Sequence, residues 1–299
     1  MTRKLPELMT VLELHEKQHF PVNLLCCFLH IARQSYYKWL KHPQSRHEQE
    51  NYTLAEKISA IYEEHPDKGH RRIRDDLERD ESIVTSNKRV LGIMRKIGLK
   101  STVKNRSNGC TRPASDPQYT AENLLQRDFY AGCPNKKWLT DVTEFKYYDA
   151  DGAVHKLYLS AILDLCDRRI VAYKLRDRND NPLVFDTLKA ALAAFPDAHP
   201  LFHSDRGFQY TNRVFHKMLT DAGMVQSMSR VGRCLDNGPM EGFWGILKRE
   251  CYYCRRFTSR ADLFRVITDY ISYYNNRRYQ HRLFIQTPME VYRSFCLAA

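Results

Sequence analysis

The chain has no stretch approaching the ~18 consecutive uncharged apolar residues that a membrane helix needs, and its start, Met1 to Leu8, lacks the apolar segment of a secretory signal. A polytopic membrane protein is excluded, and a cytoplasmic location is expected. A regular disulfide pattern is also missing. The nine cysteines are odd in number and irregularly placed, as in a reducing compartment. Cys251 and Cys254 form a lone CxxC, and His15, His19, Cys26 and Cys27 lack the spacer between cysteines. Neither group supplies the four ligands of a structural zinc site. Internal repeats, low-complexity tracts and a long heptad pattern are absent too. Acid is missing from one stretch in particular. Between Ser82 and Ser115 there is no Asp or Glu, while Lys88, Arg89, Arg95, Lys96, Lys100, Lys104, Arg106 and Arg112 all fall there.

What remains is a basic, foldable chain. Of 299 residues, 43% are hydrophobic, enough to bury a core, and Lys plus Arg (47) exceeds Asp plus Glu (35), giving +12. That balance suits a polyanionic partner. Helical periodicity covers 7–60, with Phe20-Pro21-Val22-Asn23 as a helix start. Two or three short helices are expected over 50–98, stopped at Gly98. From Lys137 the pattern turns to strands: 138–148, 157–165 and 170–175, joined by short turns into an antiparallel meander. Helices near 182–195 and 212–222 alternate with short strands at 201–203 and 225–228, and a helix is expected at 239–250. This order predicts an α/β fold, a mixed sheet with helices packed on it. The expected segments are 1–49 (helical), 50–99 (helical, DNA-binding), 100–134 (basic linker), 135–257 (catalytic core) and 258–299 (helical, rich in Tyr and Arg).

Three acids stand out: Asp141 inside the first strand, Asp205 just past a short strand, and Glu241 in a helix's first turn. Carboxylates at strand middles and ends are costly unless paired or metal-bound. If they converge, an all-oxygen site would favour two Mg²⁺ ions, or Mn²⁺ in their place, over zinc, and two ions can clamp both oxygens of a phosphoryl transfer. Any three of 35 acids can be picked after the fact, so ordinary capping or pairing stays open for each. Glu144 and Asp164 are assigned such roles, and Asp236 with Asn237 is expected to cap the Pro239 helix.

The segments 203–211, 227–248 and 274–281 (His203-Ser-Asp-Arg-Gly, Asp236-Asn-Gly-Pro-Met-Glu-Gly-Phe-Trp244 and Tyr274-Asn-Asn-Arg-Arg-Tyr-Gln-His281) closely resemble one family. It is the transposases of bacterial insertion sequences of family three, second-reading-frame product, with a retroviral-integrase-like core. The resemblance spans 20–295. It implies a ribonuclease-H-like core preceded by a helix-turn-helix-like region, with Asp141, Asp205 and Glu241 on the family's two aspartates and one glutamate. Thirty-five residues lie between Asp205 and Glu241, a separation typical of that superfamily. Gly242 stands where many members have Ser. The implied activity is metal-dependent 3′-end nicking and strand transfer on double-stranded DNA, acting on the element's terminal repeats and a target. Implied partners are further copies of the chain and the upstream-frame protein, in a bacterial cytoplasm near the nucleoid. A nuclease that cuts without joining, or a non-catalytic DNA-binding protein, are the alternatives. Lys248, two helical turns after Glu241, and Arg249 are candidate DNA contacts. So are Arg277, Arg278 and His281 in an aromatic-cationic stretch, whose tyrosines could equally be core. Lys88, Arg89, Arg95, Lys96, Lys100, Lys104 and Arg106 suit phosphate contacts without base reading.

Overall fold

Aromatic and β-branched residues over 138–148 build the longest strand of the protein, β1 (Lys137–Tyr148). In the computed structural model, which describes residues 5–41, 46–103, 118–231, 233–253 and 255–298, β1 is the centre of a five-stranded sheet. Lys104, Arg106, Arg112 and Cys254 lie outside the described residues. β2 (Val154–Asp164) pairs antiparallel with β1, and β3 (Ile170–Arg176) pairs antiparallel with β2. β4 (Leu201–Ser204) runs parallel to β1, and β5 (Val225–Met228) parallel to β4, giving the order β3-β2-β1-β4-β5. Three antiparallel strands followed by two parallel ones, with helical connections, make the mixed sheet that the pattern predicts and the ribonuclease-H-like arrangement that the resemblance implies.

The pleat sends alternate β1 residues to opposite faces. Trp138 packs with α7 (Asn181–Ala194) and α8 (Arg213–Asp221) in one buried cluster. Leu139 and Phe145 pack on the other face against α9 (Gly238–Leu247) and α10 (Arg260–Asn276). α10 buries Leu263, Val266, Ile267, Tyr270, Ile271 and Tyr274, and each such large apolar side chain contributes about 1.5–3 kcal/mol. The expected boundary at 257/258 therefore runs through one core. α11 (Pro288–Ala298) starts with a reciprocal cap: the Thr287 N–H donates to Glu290 and the Glu290 N–H donates to Thr287 Oγ1.

The chain divides into two compact units, 1–100 and 101–299. The stretch 100–134 is not a linker throughout, because Leu125 and Ala131 lie in the second unit's core. In the first unit, α1 (Leu5–Gln18), α2 (Val22–Phe28) and α3 (Arg33–Lys41) share one small core, with Pro21 directly before α2 at the helix start expected from Phe20-Pro21-Val22-Asn23. α4 (Arg46–Glu64), α5 (His70–Asp80) and α6 (Asn87–Lys96) share another, built on Ile58, Ile73, Leu77, Val90 and Ile93. α4 crosses the expected 49/50 boundary. Gly98 does end α6, in a left-handed turn at φ 76°. Lys68 and Asp76 pair at 2.7 Å, both buried. Among the described residues no helix is long and apolar enough to cross a membrane.

Candidate active site

Asp141 sits on the β1 face that carries Leu139 and Phe145, and is only 8% exposed. The Trp244 indole N–H donates to its Oδ2 at 2.9 Å. Asp205 follows β4 directly. The Gly207 N–H donates to its Oδ1 at 2.8 Å, and a Cβ on Gly207 would lie 3.0 Å from that oxygen. Glycine thus lets the backbone close on the carboxylate.

The two aspartates act on each other. Burial, then the charge of Asp205, push the Asp141 carboxyl up to about 8, with a lesser push from Glu241. Trp244 and the Val142 N–H pull in the other direction. Burial raises Asp205 as well. Glu241, in the first turn of α9, is the most open of the three, and its carboxyl is raised by partial desolvation. The structure therefore brings Asp141 and Asp205 together, with Glu241 within electrostatic reach of Asp141. Among the described residues no three His, Cys, Asp or Glu side chains make a finished metal cage.

Several residues that pattern reasoning missed hold this arrangement. The Asn237 amide, 4% exposed, donates to the Thr140 carbonyl at 3.1 Å. With Trp244 seven residues on, it fixes α9 along β1 on either side of Glu241. Tyr210 is buried under both aspartates, its hydroxyl 3.3 Å from Thr140 Oγ1, and burial followed by their charges raises its phenol. His203 lies between Ser227 and Ser229 hydroxyls at 2.8 and 3.1 Å, and burial lowers it to about 4, so it is neutral at pH 7. The donor set is thus all carboxylate oxygen, which fits hard divalent cations.

Asp236 departs from expectation. It does not cap α9. It accepts from Arg230 Nε and Nη2, both at 2.9 Å, from Arg127 Nε at 2.7 Å and from Asn123 Nδ2 at 3.0 Å. Asn237 makes no side-chain cap either. Asp164 is structural, as expected, accepting from Trp138 Nε1 and the Asn135 and Cys166 N–H groups.

Family comparisons match three segments: an HTH-like domain over 48–107 and two integrase core domains over 131–234 and 241–297. InsK of insertion sequence element IS150 from Escherichia coli is 37% identical over 92% of this chain and 94% of its own length. The transposase for insertion sequence element IS904 from Lactococcus lactis is 33% identical over 82% of this chain and 96% of its own length. The chain belongs to the insertion-sequence transposases. A catalytic core of HTLV-2 integrase in complex with magnesium is also similar, at 17% identity, covering 55% of this chain and 99% of that one with a TM-score of 0.41.

In this transposase the expected DNA contacts divide. Lys248 opens a π-helical turn (Lys248–Tyr252), so α9 stops short of the expected residue 250. Its ammonium lies 5.2 Å from the Phe145 ring centroid and is lowered by burial, against the raising charges of Glu144 and Asp141. It therefore lies within electrostatic reach of Asp141 and Glu144. Arg249 folds back along Gly245, where a Cβ would meet its guanidinium at 3.1 Å. Arg278 is turned inward, in a two-pronged pair with Glu250 at 3.0 and 2.7 Å. A buried guanidinium so engaged is a structural latch rather than a free DNA contact. Arg277 and His281 are exposed. In the first unit Lys88, Arg95, Lys96 and Lys100 are exposed, whereas Arg89 is partly buried and donates to Asn51 at 2.8 Å.

Proposed function

We propose that this transposase cuts and joins DNA with Asp141, Asp205 and Glu241 as ligands for two Mg²⁺ ions. The observation that carries the reading is the pair Asp141, buried in β1, and the half-buried Asp205, just past β4, close enough that the charge of Asp205 raises the Asp141 carboxyl. Ordinary folding avoids such a pair, because like charges in low dielectric repel strongly. A hard divalent cation removes that cost, and when bound it supplies Lewis-acid stabilisation of the phosphoryl group and of the attacking and leaving oxygens.

The chain's own residues do the rest. Trp244 orients Asp141 through its Oδ2, and Gly207 orients Asp205 through its Oδ1. Glu241, the most open acid, completes the set where a duplex can reach it. Lys248 holds a phosphate beside the aspartates. In the first step water attacks phosphorus and the bond to the 3′ oxygen breaks, freeing a 3′-hydroxyl at the element's end. In the second, that hydroxyl attacks a target phosphodiester and displaces its 3′ oxygen. No covalent enzyme intermediate is needed, and positioning plus electrostatics supply the rate. The exposed Lys88, Arg95, Lys96, Lys100, Arg277 and His281 contact backbone phosphates, and two chains, one per element end, act together.

The test is strand transfer on labelled element ends with Mg²⁺. Asp205→Asn should lose both nicking and joining while keeping its melting temperature. Near-wild-type joining by that variant would sink the assignment, and nicks without joined strands would make the chain a simple nuclease.

A further inference from the structure

The HTH-like match begins at residue 48, so α1–α3 carry no assigned role. These helices close a core of their own, with Leu8 and Val11 of α1, Val22 and Cys26 of α2, Ile31 and Tyr36. Only residues 29–32 separate α2 from α3. The link is a two-bond helix stop. The Ile31 N–H donates to the Cys26 carbonyl at 2.8 Å and the His30 N–H to the Cys27 carbonyl at 3.2 Å, with His30 left-handed at φ 50°. That geometry satisfies the last carbonyls of α2 and swings Ile31 into the core. α3 starts at once, the Ser35 and Tyr36 N–H groups donating to the Ala32 carbonyl at 2.8 and 3.3 Å. Tyr36, 1% exposed, anchors it.

The other side of α3 faces water with Arg33, Gln34, Ser35, Tyr37, Lys38 and Lys41. No acid occurs from Leu29 to Lys41. Among the described residues none pairs with Arg33, Lys38 or Lys41, whereas Lys17 on α1 is paired with Glu13 at 2.5 Å. An ordinary solvated helix mixes both signs, as α1 does. This one presents three cations and no acid, together with Gln34, Ser35, Tyr37 and Leu40, on a nine-residue helix anchored by Tyr36.

We infer that residues 5–41 are a second DNA-binding helix-turn-helix, separate from α4–α6, in which α3 enters the major groove of duplex DNA. This rests on the reading of the chain as a transposase that handles DNA. A helix of this length spans about 13 Å, close to the ~12 Å groove. In such motifs the first residues of the second helix meet base edges. Arg33 and Gln34 stand there with the paired donors and acceptors that base edges require, while Lys38 and Lys41 follow the phosphates.

The probe is a labelled mixed-sequence duplex of roughly 30 base pairs, bound by the full chain and followed by fluorescence anisotropy between about 50 and 200 mM salt. The triple variant Arg33→Ala/Lys38→Ala/Lys41→Ala should bind at least about tenfold more weakly, and its salt slope should fall by about 1.8, from ~0.9 for each of the two phosphate contacts made by Lys38 and Lys41. Lys17→Ala/Lys189→Ala, which removes two cations already paired with acids, should change the slope far less. Gln34→Ala should relax the sequence preference recovered from a randomised duplex pool. A triple variant with wild-type slope and affinity overturns the inference, as does a wild-type chain that does not bind the duplex. If the triple variant melts lower, Lys38→Gln replaces it, and an unchanged slope there overturns the inference equally. Asp205→Asn binding like wild type without nicking supports both readings. A chain that loses binding with α3 yet never cuts any DNA refutes the catalytic reading and leaves this one standing.

Discussion

Asp141 and Asp236 are both buried aspartates of the same unit, and their surroundings are opposite. Asp236 is fully buried and receives two guanidinium groups and an amide, which hold its carboxyl far below the usual range, the Arg230 hydrogen bond being the largest cause. Asp141 is nearly as buried and faces a second aspartate, which with burial drives it to about 8. One site spends its charge inside the chain, tying residues 123 and 127 to 230. The other keeps its charge unspent. Burial alone therefore does not mark a functional acid; the missing countercharge does.

The sharpest way to break that contrast is Asp205→Asn, which removes Asp141's like-charged neighbour. Nicking and strand transfer should fall about 10³-fold or more, some 4 kcal/mol of barrier, while the metal-free protein melts no lower than wild type by calorimetry. Next in size, Asp236→Ala should cost about 2 kcal/mol and lower the melting temperature by several degrees, because the side chains of three residues, Arg230, Arg127 and Asn123, lose their acceptor. The sign with pH follows. A carboxyl depressed on folding stabilises fully above its unfolded value near 4 and loses that contribution as pH falls through and below it. Melting curves should drop between about pH 5 and pH 3 in wild type and drop less in Asp236→Asn. Trp244→Phe keeps the ring but withdraws the indole donor from Asp141. About a tenfold loss of Mn²⁺ affinity and of joining is expected, and unchanged Mn²⁺ titration would remove Trp244 from the site. The smallest effect belongs to Asn123→Ala, which deletes one of Asp236's partners and should cost about 1 kcal/mol in urea unfolding.

Much of the core was readable in advance. Aromatic, β-branched and apolar runs located β1, β2 and β3, and the helices expected near 182–195 and 212–222 are α7 and α8, which start at Asp180 and Asn212 as N-caps. Asp141 and Asp205 stood out because strand middles and ends are costly places for carboxylates, whereas Glu241 lies in a helix's first turn, where acids are common, and was tied to them by the resemblance. The failures share one cause, partners distant in sequence. Asp236 looked like a local cap because its real partners, Asn123 and Arg127, lie 113 and 109 residues away. Arg278 looked like a DNA contact because Glu250 is 28 residues upstream. Residues 118–134 read as linker, yet the Leu124 and Leu125 N–H groups donate to Ser227 Oγ at 3.0 and 3.2 Å. Local periodicity carries no trace of such pairings. The turn at His30 was equally hidden, since a left-handed histidine announces itself far less than glycine does.

The helix that presents Glu241 is held to the sheet by its buried Met240, Phe243, Trp244 and Leu247 and by hydrogen bonds to the Thr140 carbonyl and the neighbouring Asp141 carboxylate. Both bonds end on consecutive residues of one strand, so the position of the glutamate is tied to the strand that carries Asp141.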